Sequence, residues 1–208
     1  MRLGIFGGSF DPVHTGHLAA ARACVEQAGI DRMILVPAGV SPFKQDRPPT
    51  AGRHRAAMLA VATAGDPRFE ISTIELDRDG PSYTVDTLER LRSVHPGDTL
   101  LLVVGPDALA SFPSWHRPDR ILELAELLPV EREGLDDLEQ LRRATPAIET
   151  LIGHERLDRI IASRVRMPPI EVRSTDLRRA IAEGRPLRGL TPPAVEEYIC
   201  GHGLYGFG

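Results

Sequence analysis

Arg2-Leu3-Gly4-Ile5-Phe6-Gly7-Gly8-Ser9-Phe10-Asp11-Pro12-Val13-His14-Thr15-Gly16-His17 lies at the start of the sequence, and its reading decides the fold. Leu3, Ile5 and Phe6 form a short apolar run that stops at Gly7-Gly8, the pattern of a buried strand cut off by a turn. The paired glycines let backbone approach a ligand with no Cβ in the way. Ser9, Asp11 and Pro12 carry the chain through the turn. Leu18, Ala21, Val25 and Ala28 then fall at helical spacing, so a helix starts near Thr15 or Gly16. Strand, glycine turn and helix N-terminus make a phosphate site in α/β proteins, because backbone N–H groups and the positive end of the helix dipole both face the anion. His14 and His17, three residues apart, point to one side of the helix start and suit hydrogen-bond donors to phosphate oxygens. The same spacing also fits a capping His14 with a packing His17. A zinc site would need one or two further ligands, and none is obvious nearby.

Outward from this stretch the apolar period alternates. Met33 to Val36 reads as a second buried strand ending at Pro37-Ala38-Gly39. Val40 to Thr50 is rich in proline and charge and reads as a loop; residues 37–50 are the best candidate for a lid. A helix follows from about Ala51 to Ala64. Phe69 to Leu76 alternates as a strand, Asp77 to Pro81 turns, and Val85, Leu88 and Leu91 mark a helix after Ser82-Tyr83-Thr84. Thr99 to Val104 is the clearest buried strand and stops at Gly105-Pro106-Asp107. The order β-α-β-α-β-α-β predicts an α/β fold: a Rossmann-like, doubly wound parallel sheet with helices on both faces, in one domain spanning 1–208. Its ligand belongs beyond the carboxyl ends of the strands. Leu122 to Pro129 suggests a short helix leading to an edge strand, and 134–151 has a helical pattern. Arginines spoil a clean strand in 160–170. Helices from about Asp176 to Glu183 and from Ala194 to Cys200 give a helical C-terminal part, about 174–205.

Composition sets outer bounds. The 208 residues suffice for a well-buried core. The formal net charge of −4 gives no basic field for nucleic acid. Cys24 and Cys200 are too few for a disulfide framework and read as reduced thiols. No apolar run approaches the ~20 residues of a membrane span, and no signal-peptide pattern opens the sequence. The expectation is a soluble cytoplasmic protein without a membrane partner; a homo-oligomer stays open.

Four further places can carry chemistry. Lys44 lies in the loop after the second strand, where a surface lysine and a phosphate ligand read alike. Ser174 or Thr175, capping a helix, offers hydroxyls and N–H groups to an anion, with Arg178 forking onto phosphate oxygens; an ordinary cap and a surface arginine give the same pattern. Asp107 suits a ribose hydroxyl, a Mg²⁺ ion or a helix N-cap. Trp115, the single tryptophan, is flanked by Pro113, Ser114 and His116, which favour a loop from which it can stack on a heteroaromatic ring. Gly201-His202-Gly203-Leu204-Tyr205-Gly206 matches G-x-G-x-x-G only by letter, since it follows a helix rather than a strand.

The first stretch resembles the nucleotidyltransferase superfamily signature G-G-[ST]-F-D-P-x-H-x-G-H at every fixed position. With Lys44 and Ser174-Thr175-Asp176-Leu177-Arg178, the chain looks like an adenylyltransferase of that superfamily. Within it the chain is most similar to the bacterial nicotinate mononucleotide adenylyltransferases. That branch is matched by Ser82-Tyr83-Thr84-Val85-Asp86-Thr87-Leu88, by Gly105-Pro106-Asp107 with Trp115, and by the ending from Leu190 to Tyr205. The resemblance implies adenylyl transfer from ATP to nicotinate mononucleotide, giving nicotinate adenine dinucleotide and pyrophosphate in NAD biosynthesis, with Mg²⁺ on the triphosphate and no resident metal. It implies that Gly7, Gly8, Ser9, Phe10, His14, His17, Asp107, Ser174, Thr175 and Arg178 bind ATP. His14, His17, Lys44 and Arg178 would be catalytic, and Lys44, Tyr83, Thr84 and Trp115 would meet the mononucleotide. Arg173 replaces a serine of the family pattern, Pro106 a small residue and Phe43 a histidine. Nicotinamide mononucleotide and phosphopantetheine are the alternative acceptors, and an ATP-binding sensor without turnover is the alternative of a different class.

Overall fold

The computed structural model describes residues 1–39, 49–131, 146–167 and 170–206. Lys44 and Phe43 fall outside them, as does most of the helical pattern expected over 134–151. Five strands form one sheet in the order β3-β2-β1-β4-β5: β1 is Arg2–Gly8, β2 Arg32–Pro37, β3 Phe69–Ile71, β4 Thr99–Val104 and β5 Glu126–Pro129. β4 runs parallel to both β1 and β5. Helices α1 (Thr15–Gln27), α2 (Gly52–Thr63) and α3 (Thr84–Val94) alternate with the strands. The strand order reverses direction at β1, and its carboxyl end runs into the signature turn. In open α/β sheets ligands bind at such a switch point. The expected Rossmann-like fold is the one observed.

The chain forms two compact units. The first comprises Met1–Phe6, Arg22–Met33 and Tyr83–Pro169. Its centre is β4, buried from Leu100 to Val104, which is why this strand is apolar without alternation. Gly4 lets β1 lie close to its cover: a Cβ there would stand 2.8 Å from Ile30 Cδ1 and from Met33 Cε. Helices α4 (Pro106–Ser111), α5 (Pro118–Leu124), α6 (Pro146–Ile152) and α7 (His154–Ala162) follow. Past α7, Val165 bridges Val130 in parallel. Arg164 and Arg166 place their Nε atoms 3.7 and 3.8 Å from a Glu131 carboxylate oxygen. The arginines that obscured this stretch in the sequence are therefore edge residues with an acidic partner.

The second unit comprises Gly7–Ala21, Ile34–Ser82 and Ile170–Gly208, with α8 (Ser174–Ala182) and α9 (Pro193–Gly201). The strand expected over Phe69–Leu76 is shorter than its alternation suggests and stops at Ile71. The amides of Leu76 and Asp77 turn back onto the Thr73 carbonyl, and the Thr73 hydroxyl donates to Asp77 Oδ2 at 2.7 Å. This local side-chain competition ends the ladder. Cys24 is buried and Cys200 exposed, both as thiols; burial pushes the Cys24 thiol up to about 12.

Candidate active site

His14 precedes the first residue of α1 and His17 is the third residue of that helix. Each caps the other. The His17 amide donates to His14 Nδ1 at 3.3 Å, and the His14 amide donates to His17 Nδ1 at 3.4 Å. This is the reciprocal geometry of a capping box, built from imidazoles instead of hydroxyl and carboxylate. With Nδ1 accepting, the proton of each neutral ring sits on Nε2. The rings stack with centroids 3.6 Å apart, and Phe10, fully buried, sets its edge against His17. Capping, one of the alternatives in the sequence, uses Nδ1 of each ring; ligand donation would use Nε2 of the same rings.

The turn that delivers these rings is held by its carbonyls. Gly8 O accepts from the Ala38 amide at 2.8 Å. Ser9 O accepts from Arg55 Nη1 at 2.8 Å, Asp11 O from Arg178 Nη1 at 2.6 Å, Pro12 O from Ser174 Oγ at 2.9 Å and Val13 O from Thr191 Oγ1 at 2.8 Å. His14 O closes the first turn of α1, and the Thr15 amide reaches Leu190 O at 2.9 Å. A trans peptide points its N–H opposite its C=O. Fixing Ser9 and Val13 carbonyls therefore fixes the Phe10 and His14 amides as well. The Asp11–Pro12 bond is cis.

Asp11 is itself clasped. Tyr205 donates its hydroxyl to Oδ1 at 2.7 Å, and the Thr50 amide donates to Oδ2 at 3.3 Å. Burial, more than any neighbour, pushes the Tyr205 hydroxyl far above its usual range, so it remains a donor. The glycine-rich ending Gly201–Gly206 thus has a structural task of its own, presenting Tyr205 at a positive φ of 62°.

Ser174 is the first residue of α8, and Arg173 occupies the cap position without a side-chain cap bond. The sequence placed the cap at Ser174 or Thr175. The hydroxyl of Ser174 instead belongs to the Pro12 carbonyl. Arg178 is the fifth residue of α8, and its bond to Asp11 O uses one of five guanidinium N–H groups. Thr175 is exposed.

The other expected residues lie in the first unit. Tyr83 caps α3 in an extended conformation and Thr84 begins the helix. Trp115 is half-buried; its indole N–H donates to Ser111 Oγ at 3.3 Å and its ring tilts against Phe112. His116, which follows Trp115, packs its ring on Tyr83 with centroids 4.5 Å apart. Asp107 is exposed in the first turn of α4; Gly105 takes the cap position and Pro106 follows it at N1. The N1 position tolerates proline because its N–H has no helical partner to lose, which accounts for Pro106.

The sequence missed Arg55, Thr191, Tyr205 and the clasped Asp11. One signal was available for Arg55. It stands with Met58 and Leu59 on the buried face of α2, a charged residue at an apolar position of the helical period.

The geometry has counterparts among known proteins. Residues 5–180 match the cytidylyltransferase-like family. The chain belongs to this family. A Thermomicrobium roseum protein named "probable nicotinate-nucleotide adenylyltransferase" is 44% identical over 98% of this chain and 91% of its own length. A relative of the same name from Thermus thermophilus is 41% identical over 99% of this chain and 100% of its own length. Among solved structures, Plasmodium falciparum nicotinic acid mononucleotide adenylyltransferase complexed with NaAD superposes with a TM-score of 0.74 over 100% of this chain and 98% of that one. At 18% identity it shows that the fold is shared. The curated relatives set the chain on the nicotinate-nucleotide adenylyltransferase branch of the cytidylyltransferase-like family.

Proposed function

We infer that this enzyme transfers the adenylyl group of ATP to nicotinate mononucleotide, a step of NAD biosynthesis, with His14, His17, Lys44 and Arg178 as its catalytic residues. A phosphate oxygen of the mononucleotide attacks the α-phosphorus of ATP. The bond from that phosphorus to the bridging oxygen of the β-phosphate breaks, and pyrophosphate leaves. Such a step needs alignment and neutralisation of charge more than covalent help. The observation that carries the reading is the mutual capping of His14 and His17, which commits both Nδ1 atoms to backbone and both ring protons to Nε2.

His17 donates to the α-phosphate and His14 beside it to the triphosphate. Gly7, Gly8, Ser9 and Phe10 shape the phosphate turn, with Phe10 acting through its backbone since its ring is in the core. Arg178 and Lys44 hold phosphate oxygens. Ser174 supports them by fixing Pro12, and Thr175 adds a hydroxyl. Asp107 serves the ATP ribose. Trp115 stacks on the pyridine ring, and the first amides of α3 at Tyr83 and Thr84 meet its carboxylate. Among the described residues no three His, Cys, Asp or Glu side chains are grouped to hold a metal ion. Mg²⁺ would arrive on the triphosphate with most of its waters, because this ion dehydrates reluctantly, and no side chain is assigned to it. Bound there, the ion would supply charge neutralisation on the triphosphate.

Pyrophosphate release with Mg-ATP, measured separately with nicotinate mononucleotide, its amide and phosphopantetheine, tests this. Release many-fold faster with the acid mononucleotide is expected. Release favouring either other acceptor would keep the phosphate site and refute the pyridine assignment. ATP binding with no release in any tube would favour a sensor.

A further inference from the structure

Arg55 has no place in the roles assigned above, yet it is one of the most deeply buried charges among the described residues, at 2% exposure. Its three kinds of nitrogen reach three backbone carbonyls. Nη1 donates to Ser9 O at 2.8 Å, Nη2 to Ala38 O at 2.7 Å and Nε to Thr50 O at 2.8 Å. These carbonyls belong to distant stretches: the signature turn after β1, the exit from β2 and the approach to α2. Packing α2 needs only apolar contacts such as Met58 and Leu59. A buried cation is a costly way to fill the first position of that face, which Met58, Leu59 and Thr63 continue, unless its bonds do something packing cannot.

The three acceptors share one property. All lie where the chain leaves a strand for a loop or re-enters a helix at the carboxyl end of β1 and β2. Neighbouring bonds continue the same arrangement: Ala38 N–H to Gly8 O at 2.8 Å, Gly39 N–H to Glu75 Oε2 at 3.3 Å and Thr50 N–H to Asp11 Oδ2. The planar guanidinium sets fixed angles among its acceptors, which a lysine ammonium at a single point does not. We propose that Arg55 is a positioning residue for adenylyl transfer, holding Ser9, Ala38 and Thr50 in one plane so that the signature turn presents its donors to the nucleotide in the reactive alignment. The proposal rests on the adenylyltransferase reading. It assigns Arg55 to the ATP side, because its bonds go to the signature turn and to the segments bonded to that turn.

The test starts with wild type, whose pyrophosphate release with Mg-ATP and nicotinate mononucleotide checks the underlying reading by itself. Arg55→Lys and Arg55→Gln are then compared by kcat, by the two KM values and by thermal midpoint. Misplacing a reacting group by about 1 Å costs on the order of a hundredfold in rate. Arg55→Lys is expected to fold and to lose at least thirtyfold, roughly, in kcat, with KM for the mononucleotide changed less than about twofold. A folded Arg55→Lys enzyme with kcat within about twofold of wild type would overturn the proposal and leave the reaction assignment standing. Should both variants fail to fold, wild-type NMR decides. The Arg55 Nε–H resonance is expected to shift when a non-hydrolysable ATP analogue saturates the protein and to stay in place with the mononucleotide alone. A resonance indifferent to the analogue would refute the positioning role.

Discussion

The signature turn and the Tyr83–His116 region differ in how their residues are held. Between Gly8 and Val13, four consecutive or near-consecutive carbonyls are fixed by side chains from α2, α8 and the segment before α9. Trp115 is held by local bonds, its indole N–H to an exposed serine and its amide to Phe112 O at 3.0 Å, with a tilted contact on the Phe112 ring, and His116 by a ring contact with Tyr83. Preorganisation belongs where charge develops, because donors already in place need no rearrangement at the moment of reaction. A ring that only stacks tolerates looser support, since an aromatic pair contributes about 0.5–1.5 kcal/mol beyond its buried area. Under the proposed function, the contrast separates a region that sets rate from one that serves recognition.

The largest effect should come from His17→Ala. It removes one Nε2 donor and the reciprocal cap together, and kcat is expected to fall by about a hundredfold or more. Circular dichroism should show the fold intact; near-normal turnover in the folded variant would erase the distinction drawn for this region. Thr191→Val comes next. It keeps the shape but takes the donor from Val13 O, leaving a buried carbonyl short of a partner at about 1–3 kcal/mol. Urea denaturation should register that loss alongside a fall in kcat of roughly tenfold, scaled from one misplaced group. An unchanged midpoint would mean the carbonyl bonds do not hold the turn.

Trp115→Ala should act on recognition alone. KM for the mononucleotide is expected to rise by about tenfold, the scale of one lost stacking contact, with KM for ATP and the melting temperature nearly unchanged. Equal loss of ATP affinity would show that this ring is not confined to the pyridine side. The smallest effect concerns the edge of the tightly held unit, where His54 Nδ1 meets the Tyr198 hydroxyl at 3.0 Å. Burial first, then Arg53 and His202, lower the His54 pKa below 6.5. Below 6.5 the unfolded chain therefore binds the proton more readily than the folded one. Stability is complete above that pH and declines as pH falls through the folded value. His54→Gln should flatten the urea midpoint between pH 7 and 5 relative to wild type; an identical slope would remove His54 from that unit's acid response.

Much of this was legible in the sequence. β1, β4 and the helix starting at Thr15 follow from apolar period and glycine punctuation, which are local. The His14–His17 pair was visible by spacing, but its mutual capping was not, because capping depends on backbone conformation at the turn. Arg55, Thr191 and Tyr205 escaped notice because their partners are 46, 178 and 194 residues away in sequence. A long-range side chain to carbonyl bond leaves no period to read. The end of β3 at Ile71 was hidden for the opposite reason: Thr73 and Asp77 bond locally and override an alternation that continues to Leu76.

A preorganised signature turn is set before nucleotide arrives. Amide hydrogen exchange in the ligand-free protein measures this directly. The Thr15, His17 and Leu18 amides should exchange as slowly as those of β4 from Leu100 to Val104, and more slowly than the amides around Trp115 and His116. Exchange at Thr15, His17 and Leu18 as fast as around Trp115, slowing only when an ATP analogue is added, would contradict it.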